Sequence, residues 1–193
     1  MTKQPVGILL AAGQSHRFGS NKLIHPVIGD APMFMVSAQK LASVLPDSII
    51  VINQTLMSYT TQLEKLGIRV VINEQAKQGI GTSIACGIRA SQDASGWLIT
   101  LTDMPYIKTE TITLLARQLN NGAEIVAPVF EQQRGHPVGF NQRYKDELLA
   151  LNDDIGARQI IANHQHQLKL VPTDDNGVIT DIDQTSDINA LDN

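Results

Sequence analysis

Short, continuous runs of branched and apolar residues recur along this chain, each followed by a stretch with helical spacing. That alternation limits the fold more than any other feature. VGILL at residues 6–10 precedes a glycine-containing loop, two proline and Gly-Asp turn signals, and a helical pattern through Met33, Val36, Lys40, Leu41 and Val44. Further runs stand at residues 48–52 (SIIVI), 68–72, 97–102 (WLITLT), 123–130 (AEIVAPVF) and 168–172 (LKLVP). Between them lie helical patterns at 56–66, closed by Gly67, at 83–90, at 109–119 and at 145–151. Strands buried on both faces read as unbroken apolar runs, so these are strands of a largely parallel sheet. Strand and helix in alternation predict a doubly wound or related α/β fold. With 193 residues the chain has enough material for one sizeable core, and a single domain over 1–193 is expected.

The bulk properties exclude several classes of function. A formal net charge of −4 gives no general attraction to nucleic acid or to an anionic membrane, so neither is expected as a partner. No apolar stretch approaches the ~20 residues that span a bilayer. The N-terminal segment lacks the layout of a signal peptide, and a cytoplasmic location is expected. Cys86 is the only cysteine, which rules out an intramolecular disulfide and weighs against cysteine-bound zinc. Its helical setting favours a small buried hydrophobe.

The first strand runs into Ala11, Ala12 and Gly13, then into a loop carrying Ser15, Arg17, Gly19 and Lys22. Small residues let another group approach the backbone, exposed N–H groups are donors, and Arg17 and Lys22 are fixed cations; together they suit a polyphosphate. The spacing is neither that of a Walker A loop nor GxGxxG. On pattern alone, a strand ending in a polar loop with nothing bound is an open alternative.

Other positions carry weaker signals. Gly79 and Gly81 precede Thr82 and Ser83, which read as an N-cap and hence as a site for an anion or polar group, or simply as a capped helix. Gly87 inside that helix weakens it, and close packing against a neighbour or a ligand would explain the choice. Asp103 stands at the end of WLITLT, where α/β sheets build their sites, as a catalytic or metal-binding carboxylate or as a cap for the helix near Lys108. His136, held extended by Pro137, reads equally as a structural or a substrate-contacting residue. Arg158 opens a further helix. Asp181 and Asp183 fall on one side of an extended segment, Asp187 follows, and Asp183 or Thr185 alternatively caps a last helix.

Taken in order, LAAGQSHRFGSNK, GIGTS at 79–83, Asp103-Met104-Pro105, GHPVGF at 135–140, Gly156-Ala157-Arg158 and DIDQTSD at 181–187 resemble the motifs of the molybdenum cofactor cytidylyltransferase family, within the molybdopterin nucleotidyltransferase-like superfamily. The closing motif departs from the family pattern, with Gln184 and Thr185 where Thr and Pro are usual. The resemblance implies an α/β three-layer sandwich with a mainly parallel sheet, mixed at one edge, of the Rossmann-like nucleotide-diphospho-sugar transferase type. It implies transfer of CMP from CTP to molybdenum-bound molybdopterin with release of pyrophosphate, dependent on Mg²⁺. In that reading Lys22 holds the α-phosphate, Arg17 the departing β and γ phosphates, and Ala12 to Ser15 supply backbone donors. Asp103 with Asp181 or Asp183 holds the metal. Leu10, Ala11, Asn53, Gly79 and Ser83 meet the base and ribose, and His136, Pro137 and Arg158 face the acceptor.

Ala12-Gly13 resembles the cytidylyltransferase branch, whereas the guanylyltransferase branch usually has Gly-Gly there, so CTP is favoured over GTP. Two alternatives stay open. One keeps the reaction with GTP or another phosphorylated acceptor. The other is a non-catalytic nucleotide-binding accessory protein of a molybdenum enzyme. Transient contact with a molybdenum hydroxylase is a further implication.

Overall fold

The computed structural model describes residues 4–13, 22–28, 30–183 and 187. Its strands are β1 (Val6–Ala11), β2 (Pro26–Ile28), β3 (Ala31–Pro32), β4 (Ile49–Ile52), β5 (Arg69–Ile72), β6 (Gly96–Leu101), β7 (Ile125–Phe130), β8 (Gln133–Arg134), β9 (Val138–Asn141) and β10 (Leu168–Pro172). Its α-helices are α1 (Met33–Val44), α2 (Thr60–Lys65), α3 (Ile80–Arg89), α4 (Thr109–Asn120), α5 (Lys145–Leu149) and α6 (Arg158–Asn163).

The main sheet has the order β10-β7-β9-β6-β1-β4-β5, with β8 paired to β7. β6, β1, β4 and β5 are mutually parallel, as are β7 and β10. The mixed character lies on one side of the sheet but not at its outermost strand. β9 runs antiparallel between β7 and β6, and β8 antiparallel to β7. β2 and β3 form a separate two-stranded hairpin, which the turn signals before α1 anticipate.

Alternation along each central strand creates the layers. In β1, Leu9 and Ala11 enter one core while Ile8 and Leu10 enter the other; Ile50 and Ile52 of β4 part in the same way from Ile49 and Val51. The first core is closed by Phe34, Ala38 and Leu41 of α1 and by Ile112 and Leu115 of α4. The second is closed by Ile84 and Ile88 of α3, Leu148 of α5 and Ile160 of α6. Each of the larger of these side chains contributes about 1.5–3 kcal/mol on full burial, so both helical layers are held by the faces of one sheet. Gly87 brings α3 close onto β1, because a Cβ there would stand 2.7 Å from Ile8 Cγ2. Cys86 is half-buried, and burial pushes its thiol pKa up, in keeping with a packing residue.

Three local expectations need correction. The pattern at 56–66 is a 3₁₀ segment, Gln54–Tyr59, leading into α2, because Asn53 Oδ1 takes the Thr55 amide at 2.9 Å and tightens the first turn. Helix α3 starts at Ile80 with Gly79 at the N-cap, so Thr82 and Ser83 lie inside its first turn and do not cap it. Asp103 does not cap α4; the Lys108 amide that opens that helix is taken by the fully buried Asp175, whose Oδ2 lies 2.8 Å away. Among the described residues no helix is long and apolar enough to cross a membrane.

Candidate active site

Strand order changes direction on either side of β1: β4 lies on one flank and β6 on the other. At such a switch point the loops leaving the carboxyl ends of neighbouring strands diverge and open a crevice. Here Ala12 and Gly13 follow β1, Thr102 and Asp103 follow β6, and Asn53 follows β4. Side chains fix these ends to one another. Asn53 Nδ2 donates to the Ala12 carbonyl at 2.9 Å, the Thr102 hydroxyl donates to the Leu10 carbonyl, and the Ser37 hydroxyl of α1 donates to the Thr102 carbonyl at 3.1 Å.

Lys22, at the head of a single 3₁₀ turn (Lys22–Ile24), reaches across to Asp103. Its ammonium donates to Asp103 Oδ2 at 3.1 Å, to Asp183 Oδ1 at 3.0 Å and to the Ile182 carbonyl at 3.0 Å. The 182–183 segment is in turn held by the Ile182 amide, which donates to the Asp103 carbonyl at 2.8 Å. Burial alone would lower the Lys22 pKa, but the two carboxylates outweigh it and hold the ammonium above the ordinary lysine value.

A cleft of about 540 Å³ opens beside this cluster, within the size range of small-molecule sites. Leu10, Ala12, Gly13, Lys22, Gly79, Ser83 and Asp103 line it, joining residues that stand far apart in the chain. Its far wall is the start of α3. Asn73, buried at the end of β5, donates to the hydroxyls of both Thr82 and Ser83 at 2.9 Å, which sets the pitch of that first turn. Gly79 and Gly81 let the 152–154 backbone lie directly on it: a Cβ on Gly79 would fall 2.5 Å from the Asp153 carbonyl, and the Gly81 amide donates to Asp153 O at 2.8 Å.

Not every expected residue reaches the cleft. Ala11 faces the opposite core, as the period of two requires, so its contribution there is confined to the main chain. Asn53 is spent on holding Ala12 and Thr55. Asp181 is exposed beside the buried Ile182, and among the described residues no three carboxylate, histidine or cysteine side chains gather at a common point. The oxygens around Lys22 are two side chains and a main-chain carbonyl. Ser15 and Arg17 lie outside the described residues.

Near Asp103, the His136 amide donates to the Val178 carbonyl at 2.8 Å, and Pro137 is buried where the chain enters β9. His136 Nδ1 is buried without a hydrogen-bond partner. Burial lowers the His136 pKa; the nearby Asp103 and Asp181 oppose this, while Arg134 and Arg158 reinforce it. Arg158 is exposed at the start of α6. Among the polar side chains lining the cleft, the motifs do not single out Lys77, Gln78, Thr102 and Asp154. Of these only Asp154 had a visible signal, as an acidic residue just before a helix pattern.

A family model described as the MobA-like NTP transferase domain matches residues 7–168. The purine catabolism protein PucB of Bacillus subtilis (strain 168) is 26% identical over 192 residues, 92% of this chain and 91% of that protein. A probable molybdenum cofactor guanylyltransferase of Geobacillus sp. (strain WCH70) is 30% identical over 115 residues, 59% of this chain and 57% of that one. The crystal structure of Rv0371c from Mycobacterium tuberculosis H37Rv superposes with a TM-score of 0.81 at 21% identity, over 97% of each chain; a manganese complex of Rv0371c superposes at 0.75.

Proposed function

The chain belongs to the MobA-like NTP transferase domain family and is a nucleotidyltransferase, and from that premise we propose that it transfers CMP from CTP to molybdopterin carrying molybdenum. The observation that carries this reading is the meeting of Lys22, Asp103 and Asp183 at the mouth of the cleft between β1 and β6. A phosphate oxygen of the acceptor attacks the α-phosphorus of the nucleotide. The bond from that phosphorus to the bridging β oxygen breaks, and pyrophosphate leaves. Since the acceptor is already ionised, no side-chain base or nucleophile is needed, and catalysis is positioning and charge neutralisation.

The donors around Lys22 fit a divalent cation. They are hard oxygens, two of them anionic, converging on one point that already holds a positive charge. Asp103, Asp183 and the Ile182 carbonyl would hold Mg²⁺ or Mn²⁺, and such an ion supplies neutralisation of phosphate charge. Lys22, turned toward the nucleotide, binds the α-phosphate. Gly13 and Ser83 bound the nucleotide on either side, and His136 and Arg158 face the acceptor, with the imidazole neutral and able to accept or donate.

CTP is preferred over GTP because Ala12-Gly13, at the edge of the cleft, resembles the cytidylyltransferase pattern where the guanylyltransferase branch usually has Gly-Gly. The guanylyltransferase relative favours the opposite choice, so the test has to compare bases directly. Pyrophosphate release should be measured from CTP, GTP, ATP and UTP, with and without molybdopterin. CTP should lead and the acceptor should be required; faster release from GTP would overturn the base assignment. A second reading keeps the reaction and changes the acceptor, favoured by the alignment with the purine catabolism protein over 92% of this chain.

A further inference from the structure

We propose that Lys22 and the divalent cation are mutually exclusive occupants of one cage, so that the free protein caps its own metal site with its substrate-binding lysine. The proposal deepens the metal-assisted reading above and rests on it.

An ammonium group has three donors and no acceptor. Lys22 places its ammonium within hydrogen-bond distance of three oxygens, Asp103 Oδ2, Asp183 Oδ1 and the Ile182 carbonyl, at 3.0–3.1 Å. Its donors are therefore all engaged before any substrate arrives. To hold a phosphate oxygen, Lys22 must give up at least one of these contacts. The oxygen it leaves is then open to water or to another cation, and the Asp103 carboxylate, 28% exposed, is the one most costly to leave unpaired. A divalent ion has the same requirement in reverse. With oxygen ligands at ~2.1–2.6 Å, it would centre close to the point Nζ now occupies. Two positive charges cannot share that point.

The main chain that carries the cage is held in place while the lysine is not. Asp103 and residues 182–183 are tied together by the Ile182 amide bond to the Asp103 carbonyl at 2.8 Å, and Ile182 is fully buried. Lys22 is held through a long, flexible stem. Exchange therefore moves the lysine while the main chain carrying the oxygens stays where it is. The consequence is a free protein with weak affinity for metal alone, and a site in which nucleotide and metal enter together.

The test is Mn²⁺ binding in the absence of nucleotide, followed by electron paramagnetic resonance, on the full-length protein. Lys22→Met keeps the aliphatic stem and removes the competitor, and should bind Mn²⁺ about tenfold tighter or more than wild type. Lys77→Met removes a charge of the same sign from the cleft without touching the cage, and should change affinity by less than about twofold. Adding Asp103→Asn to Lys22→Met should erase the gain. If Lys22→Met does not fold, Lys22→Gln replaces it. The proposal is overturned if the Lys22 variant binds no tighter than wild type, or if Lys77→Met gains as much, since general field and not occupancy would then be responsible. Because no nucleotide is present, loss of the cytidylyl-transfer reading leaves this result standing, and loss of this result leaves that reading standing.

Discussion

Asp103→Asn separates a catalytic carboxylate from a structural one. The pair it makes with Lys22 spans 3.1 Å, with the side chains 13% and 28% exposed. Partly solvated pairs of this kind contribute at most about 1 kcal/mol, and asparagine keeps the shape and an oxygen able to accept from Lys22. The contact that fixes the 182–183 segment uses the main-chain carbonyl of residue 103, which the substitution retains. Stability should therefore change by less than about 1 kcal/mol, a Tm shift of about 2–4 °C for a chain of this size. Turnover is a different matter, because the lost charge sits where phosphate charge must be offset. Removing one such preorganised interaction lowers kcat by about 10²–10³. Steady-state pyrophosphate release at saturating nucleotide, across a Mg²⁺ series, gives the second number, and a calorimetric melt gives the first. A variant that keeps its turnover and its Mg²⁺ response would refute the role assigned to Asp103. A variant whose melting point falls by more than about 10 °C would make it structural instead.

Ala12→Gly creates the Gly-Gly of the guanylyltransferase pattern and should move the CTP-to-GTP ratio of kcat/KM toward GTP by about tenfold; an unmoved ratio would detach Ala12 from base selection. Gly87→Ala should destabilise by about 1–3 kcal/mol in urea unfolding, since the added Cβ would meet Ile8 Cγ2 at 2.7 Å, while KM stays as in wild type. His136 has a folded pKa below its ordinary value through burial, so the unfolded chain takes up the proton first. Stability is then full above pH ~6.5 and declines as the pH falls below it, and His136→Gln should flatten that part of the profile.

Much of this architecture could be read from residue types because local rules and tertiary packing agree. VGILL, SIIVI and WLITLT are apolar on both faces, and they form β1, β4 and β6 at the centre of the sheet. The doubled turn signal before α1 became the hairpin of β2 and β3. Where the reading slipped, a long-range partner decided the outcome. Thr82 and Ser83 look like caps, yet their hydroxyls are claimed by Asn73, and α3 begins earlier because Gly79 and Gly81 lie under the 152–154 backbone. The inward placement of β9 depends on pairing between residues far apart, which no local pattern records. At the site, motif positions gave Lys22 and Asp103, but not that Lys22 would sit among the oxygens assigned to the metal. Such convergence depends on where the chain's last strands and loops return, and on the geometry of the Ile182 carbonyl, a group every residue type carries.

The central claim is that a phosphorus atom passes from nucleotide to acceptor at the mouth of this cleft. The direct measurement follows radiolabel from the α-phosphate of CTP with Mg²⁺ and molybdopterin present. Label is expected in the pterin product in equal amount to the pyrophosphate released, with the yield collapsing in Asp103→Asn. Pyrophosphate without labelled pterin, or no transfer of label from any of the four nucleotides, would contradict it.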